Sequence, residues 1–237
     1  ADDLKSIRKT LETVRDLVNC NISEPKNAKW VTLTYAENMT NPKKLQKDFD
    51  IFYKRFNRKY PCKYISVVEP QARGAWHVHF IPIFDTVAPF ISNDEMASMW
   101  GHGFTKTTKV FDCDNLGLYF SAYLVNIPVS DSEQVDPKHT VEKQVLDQDT
   151  GQVSTKRFIK GGRMHLYPRG MNILRHSQGL TKPFVERMTW EKAQEKVGTL
   201  QPTYQSSVRI TDLEQSFTNT VTHVQFNTLC PNGKLTD

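Results

Sequence analysis

Tyr64-Ile65-Ser66-Val67-Val68-Glu69-Pro70-Gln71-Ala72-Arg73-Gly74-Ala75-Trp76-His77-Val78-His79-Phe80-Ile81-Pro82-Ile83-Phe84 is the stretch on which the reading of the chain turns. Two apolar, β-branched runs flank a polar turn containing Pro70 and Gly74, which predicts a hairpin over about residues 62–84. Residues two apart on a strand point to one face, so His77 and His79 stand side by side while Val78 and Phe80 turn to the opposite, buried face. Glu69 ends the first strand, and the hairpin brings it alongside them. Two neutral imidazoles and a carboxylate on one face, with positions left for water or substrate, suit a divalent metal. A His-x-His pair alone is common by chance, so the metal reading depends on a second constellation downstream.

The 237 residues suffice for one large domain, or one domain with an appended lobe. Hydrophobic residues make up 38% and charged residues 24%, ordinary values for a protein with a real core. A net charge of +5 fits a nucleic-acid partner without requiring one. No apolar run approaches the ~18–20 residues of a membrane span, and no signal-peptide pattern opens the chain, so a cytoplasmic protein with no membrane partner is expected. Cys20, Cys62, Cys113 and Cys230 are scattered without a C-x-x-C pair, which argues against a zinc ribbon and for free thiols.

Leu4, Ile7, Leu11, Val14 and Leu17-Val18 recur at helical spacing and predict a helix over residues 4–19. Asn27 to Tyr35 reads as a strand. Asn41-Pro42 opens a helix with Leu45, Phe49, Phe52-Tyr53 and Phe56 on its buried stripe. Ser92 caps a short helix ending near Trp100, and Gly101-His102-Gly103 turns the chain into a strand over Phe104–Phe111. Leu116 to about Ile127 is apolar enough for a helix on the sheet. Residues 129–157 are polar and read as a surface hairpin or mobile insertion, with Asp149-Thr150-Gly151 as its turn. A basic, glycine-containing loop region runs from Phe158 to Lys182. After Pro183 the composition suggests a small α+β tail, with a helix around Thr189–Lys196 and strands around Thr203–Ile210 and Thr220–Phe226.

The second constellation is Tyr119-Phe120-Ser121-Ala122-Tyr123, whose tyrosines, four apart, share one face of the predicted helix. Such a pair alone usually packs its rings and hydrogen-bonds its tips. Near a metal, a phenolic oxygen acquires another use, attack on a DNA phosphodiester. A phenol with a pKa near 10 is a poor nucleophile at neutral pH, and a cation beside the scissile phosphate compensates.

The strand Trp30–Tyr35, the Glu69…His77-x-His79 hairpin and the Tyr-x-x-x-Tyr helix follow the order of the three motifs of HUH endonucleases. The chain resembles rolling-circle replication initiators (Rep) of plasmids and integrative elements of Gram-positive bacteria. The words that carry this are Val31-Thr32-Leu33-Thr34-Tyr35, Glu69-Pro70-Gln71-x-Arg73-Gly74-Ala75-Trp76-His77-x-His79, Trp100-Gly101-His102-Gly103-Phe104 and Tyr119-x-Ser121-Ala122-Tyr123-Leu124. Phe158-Ile159-Lys160-Gly161 through Lys182-Pro183 adds to them. The resemblance covers about residues 28–183.

It implies an α+β fold, a central antiparallel sheet of about five strands flanked by helices, Rep-like, over residues 1–183, with residues 184–237 as an extension of unknown role. It implies that Glu69, His77 and His79 hold Mg²⁺ or Mn²⁺, that Tyr119 is the first nucleophile and Tyr123 the second, and that single-stranded or hairpin origin DNA is nicked and rejoined through a 5′-phosphotyrosyl link. Many relatives carry Lys three residues after the catalytic tyrosine; Ala122 and Asn126 stand there in this chain. A phosphate-orienting cation must then come from elsewhere, and which tyrosine attacks first stays open. With no P-loop in the chain, unwinding is expected from a host helicase.

Lys156, Arg157, Lys160, Arg163, Arg169 and Arg175 surround Gly161-Gly162 and are candidates for DNA phosphates, against a merely solvated loop. Thr32 and Thr34 are candidate neighbours of the metal, Trp76 a candidate base-stacking platform, and His102, His165 and His176 candidate extra ligands. Two other readings stay open: a conjugative relaxase with the same chemistry, and a non-catalytic nucleic-acid-binding module with a vestigial His-x-His.

Overall fold

The structure, a computed structural model, describes residues 2–71, 74–110, 117, 124, 126–129, 136–146, 152–212 and 217–226. The chain divides into two compact units, Ala1–Pro183 and Phe184–Asp237.

The larger unit is organised on a five-stranded sheet, with strands β1 (Lys29–Thr34), β2 (Lys63–Pro70), β3 (Trp76–Ile83), β4 (Thr105–Lys109) and β8 (Leu174–His176) in the order β4-β1-β3-β2-β8. Every neighbouring pair is antiparallel, so the expected α+β architecture with a central antiparallel sheet is found. The predicted hairpin is β2–β3, in a register that places Glu69 opposite His77 and Val67 opposite His79. Its turn closes through Gly74 N–H to Gln71 O at 2.9 Å and Gln71 N–H to Ala75 O at 2.8 Å.

Helix α2 (Pro42–Lys59) covers the face that carries Val31, Leu33, Val78 and Phe80. Asn41 caps it by accepting from the backbone N–H of Lys43 and Lys44, and Pro42 occupies its first turn, where no N–H is needed. Phe49, Phe52 and Phe56 are at most 2% exposed and pack around Phe80, with Tyr53 and Tyr64 beside them. Each such ring contributes roughly 1.5–3 kcal/mol by leaving water. Helix α3 (Asn93–Trp100) packs against α2 and β4, and its Trp100 donates to Thr34 O at 3.0 Å. Helix α1 (Asp2–Asn21) contacts β2 and buries the predicted stripe Ile7, Leu11, Val14, Leu17 and Val18.

Three expectations for this unit need revision. The helix expected to reach about Ile127 stops short, because Ile127-Pro128 is a strand, β5, paired with β7 (Val153–Ile159). The residue before a proline disfavours the helical region, which explains the boundary. Gly117 and Leu124 have helical backbone; the rest of residues 111–125 lies outside the described residues, Tyr119 and Tyr123 included. The insertion expected at 129–157 is part of a three-stranded sheet, β5-β7-β6, where β6 is Thr140–Leu146 and β7 runs on to Ile159. It has its own small core of Val145 and Phe158. Within the stretch read as a basic loop, Leu174–His176 forms β8, the edge strand beside β2.

The smaller unit consists of helix α4 (Trp190–Val197), capped by Thr189, and the antiparallel ribbon β9 (Pro202–Asp212) and β10 (Phe217–Phe226). Both strands are longer than the sequence suggests.

Candidate metal and DNA site

The face of the sheet opposite α2 carries the predicted ligands. His79 lies in a row across three strands, with Thr32 its partner on β1 and Lys106 the partner of Thr32 on β4. His77 lies in the next row, between Thr34 on β1 and Glu69 on β2. Partners directly opposite in an antiparallel pair have Cβ atoms about 4.5–5.5 Å apart, so the three side chains leave one small patch of sheet.

Within this patch Glu69 and His79 are in direct contact, Oε2 against Nε2, and both are buried. On its other nitrogen, His79 Nδ1 is 3.4 Å from the Thr32 hydroxyl. A neutral ring protonated at Nε2 satisfies both contacts, with Thr32 donating to Nδ1. The Trp30 ring lies against that imidazole with centroids 4.8 Å apart. His77 stands roughly perpendicular to His79, ring centroids 6.5 Å apart, and is half-buried. The second Glu69 oxygen, Oε1, is 2.9 Å from Arg163 Nη1. Burial alone would raise the Glu69 pKa; the contact with His79 and the charges of His79, Arg163 and His77 outweigh it and hold the carboxyl below its ordinary value.

Both carboxylate oxygens of Glu69 thus already have partners, and among the described residues no three His, Cys, Asp or Glu side chains converge closely enough to hold a metal ion. The donor set itself fits one. Two imidazoles and a carboxylate share one patch, with Glu69 and His79 already touching, and such ligands suit Mn²⁺ and related divalent ions. The fit is therefore one of donor type and placement.

The remaining candidates divide clearly. Arg163 is no surface phosphate binder: its side chain is 13% exposed and reaches Glu69, Pro70 O and Asn126 O. Arg175 pairs with Asp50, donates to Gln46 O and lies over the Phe49 ring, so it clamps β8 to α2. Lys156, Arg157, Lys160 and Arg169 are exposed, the first two on β7. Trp76 is 3% exposed and donates to Thr40 O at 3.0 Å, which makes it a packing residue and not a stacking platform. His102 lies 3.7 Å from Asp48, while His165 and His176 are exposed; none joins the Glu69–His79 pair. Tyr119 and Tyr123 lie outside the described residues.

Sequence reading missed four contributors. Trp30 was only a strand residue until the register placed it on His79. Lys106 follows from strict alternation, since it occupies the face opposite Thr105 and Thr107. Asn126 and Tyr167 are joined to the site by hydrogen bonds across 35 and 99 residues, which no local pattern could reveal.

Residues 28–127 match the family model of the ORF2-type replication-associated protein. The matched segment, less than half of the chain, contains Glu69, His77, His79, Tyr119 and Tyr123. It supports a Rep-type replication initiator with a DNA partner. Neither a curated protein nor a solved structure matches the chain. Among the described residues no helix is long and apolar enough to cross a membrane.

Proposed function

We propose that the protein is a metal-dependent, sequence-specific nuclease of single-stranded DNA that cuts and rejoins through a tyrosine, and that it starts rolling-circle replication of a plasmid or mobile element. The observation that carries this reading is the Glu69–His79 contact, on a sheet face shared with His77, inside a segment that matches a replication-associated family. Glu69, His77 and His79 would hold Mg²⁺ or Mn²⁺, which supplies the positive charge that orients a phosphodiester and offsets the charge developing on it.

The chain's own residues supply the rest. Thr32 and Trp30 fix the His79 ring. Lys106, exposed on the same face, offers a phosphate a point charge from the β4 edge, the cation the tyrosine segment itself lacks. Tyr119 or Tyr123 is the nucleophile. Its oxygen bonds to phosphorus as the bond from phosphorus to the 3′-oxygen breaks. The phenolic proton passes to solvent, and the departing strand keeps a free 3′-hydroxyl. A phosphoester is exchanged for a phosphoester, so the reverse reaction joins strands, and a second tyrosine permits a second transfer before release. Lys156, Arg157, Lys160 and Arg169 would follow the DNA backbone.

The test is a single-stranded origin oligonucleotide with Mn²⁺, read on a denaturing gel. A protein–DNA adduct is expected from the unaltered chain. None is expected from His77→Ala, whose DNA affinity stays within a few-fold. Full adduct formation by His77→Ala, or in excess EDTA, would contradict a metal role.

A further inference from the structure

We propose that Arg163, Asn126 and Tyr167 form a clasp that positions the Glu69 carboxylate against the segment immediately following Tyr123. This rests on the nicking reading above and adds to it a positioning device from a part of the chain beyond the family match, which ends at residue 127.

The clasp is built from the loop that follows β7. Arg163 Nη1 lies 2.9 Å from Glu69 Oε1 and donates to Pro70 O at 2.6 Å, while its Nε donates to Asn126 O at 3.0 Å. One guanidinium therefore joins the end of β2, the Glu69 side chain and the start of β5. Asn126, 2% exposed, returns the connection by accepting from Gly161 N–H at 3.0 Å. Four residues beyond Arg163, the Tyr167 hydroxyl lies 3.1 Å from Val68 O and 3.0 Å from Leu124 O. Its single proton serves one carbonyl at a time, so the phenol bridges the residue before Glu69 and the residue after Tyr123. Burial raises the Tyr167 pKa, which keeps that proton in place throughout the neutral range.

Stability alone does not account for this arrangement. A buried ion pair costs desolvation, and apolar residues of similar volume often serve a fold as well or better. The guanidinium is instead aimed at the one carboxylate the proposed chemistry needs. Carboxylates that bind metals characteristically keep an outer hydrogen bond that sets their orientation. The planar fork of arginine can hold three acceptors in fixed directions; a lysine ammonium has no such fixed geometry. Because Leu124 and Asn126 lie one and three residues past Tyr123 in sequence, the same contacts set where the tyrosine segment leaves the sheet. An error of about 1 Å in placing a nucleophile costs on the order of 10²-fold in rate.

Two conservative variants of the full chain test the clasp. Arg163→Lys keeps the charge and loses the fork; its Mn²⁺ affinity, measured by the paramagnetic resonance of free Mn²⁺, is expected to fall about 10–100-fold. Tyr167→Phe keeps the ring and loses the bridge. It is expected to bind Mn²⁺ and single-stranded DNA within about threefold of the unaltered chain, yet to form adduct about 10–100-fold more slowly in a single turnover. Either variant behaving as the unaltered chain does in its assay overturns the clasp while leaving the nicking reading intact. An unaltered chain that binds no Mn²⁺ overturns both.

Discussion

Glu69 and Asp48 are both carboxylates held below their ordinary pKa, and they differ in what holds them. At Glu69 the partners are His79 and Arg163, largely buried with it. Removing one member of such a pair leaves the other uncompensated, so Glu69→Gln is expected to cost about 3–5 kcal/mol in chemical denaturation. A double variant with Arg163→Met should recover most of that, and strictly additive losses would contradict the pairing. Asp48 sits at the start of the core helix, where it accepts from Tyr35 Oη at 2.9 Å and Lys44 Nζ at 2.7 Å, with His102 nearby. Burial opposes its ionisation; the Lys44 and Tyr35 hydrogen bonds and the charges of His102 and Lys44 win, so the folded pKa lies below the usual 3.8. A depressed carboxylate stabilises the fold at pH above its unfolded value, and that contribution is lost as pH falls through the folded one. Asp48→Asn should therefore melt below the unaltered chain near neutrality, with a loss of about 1–3 kcal/mol. The gap should narrow below about pH 4. A gap independent of pH would contradict the assignment.

Elements with a strong periodic signal were legible in the sequence, and those defined by distant pairing were not. The helix stripe Phe49, Phe52 and Phe56, the Asn41 and Ser92 caps and the β2–β3 hairpin could all be read from spacing and turn chemistry. Three-residue β8 could not, since its only reason to be a strand is the edge of β2 beside it. The polar run at 140–159 pairs with Ile127-Pro128, an association that no window of local sequence contains. Gly103 shows how much a turn can depend on backbone approach. A Cβ built there would lie 2.5 Å from Ala36 N and 2.6 Å from Thr34 O, where the chain hydrogen-bonds β1 to the turn after α3. Because only backbone could yield, Gly103→Ala is expected to destabilise by about 1–3 kcal/mol in thermal denaturation, through overpacking. A neutral result would mean that the turn has room that these distances deny.

Across the whole molecule, the candidate metal ligands could be read from sequence because two imidazoles at i and i+2 on a strand must share a face. The positively charged surroundings were legible only in part. Arg163 and Arg175 were indistinguishable in sequence from Lys156 or Lys160, and tertiary packing drew the two arginines inward while leaving the lysines exposed. If Lys106, Lys156, Arg157 and Lys160 together meet about four phosphates, the affinity for single-stranded DNA should fall with a logarithmic salt slope of about 3. A flat response would make those charges only a solvated surface. The proposed chemistry requires that a tyrosine of this chain become covalently bound to DNA beside the Glu69–His77–His79 patch. Mass spectrometry of proteolysed adduct tests this most directly. A 5′-phosphonucleotide on Tyr119 or Tyr123 is the predicted result, and its attachment to any other residue, or cleavage with no covalent species, would contradict it.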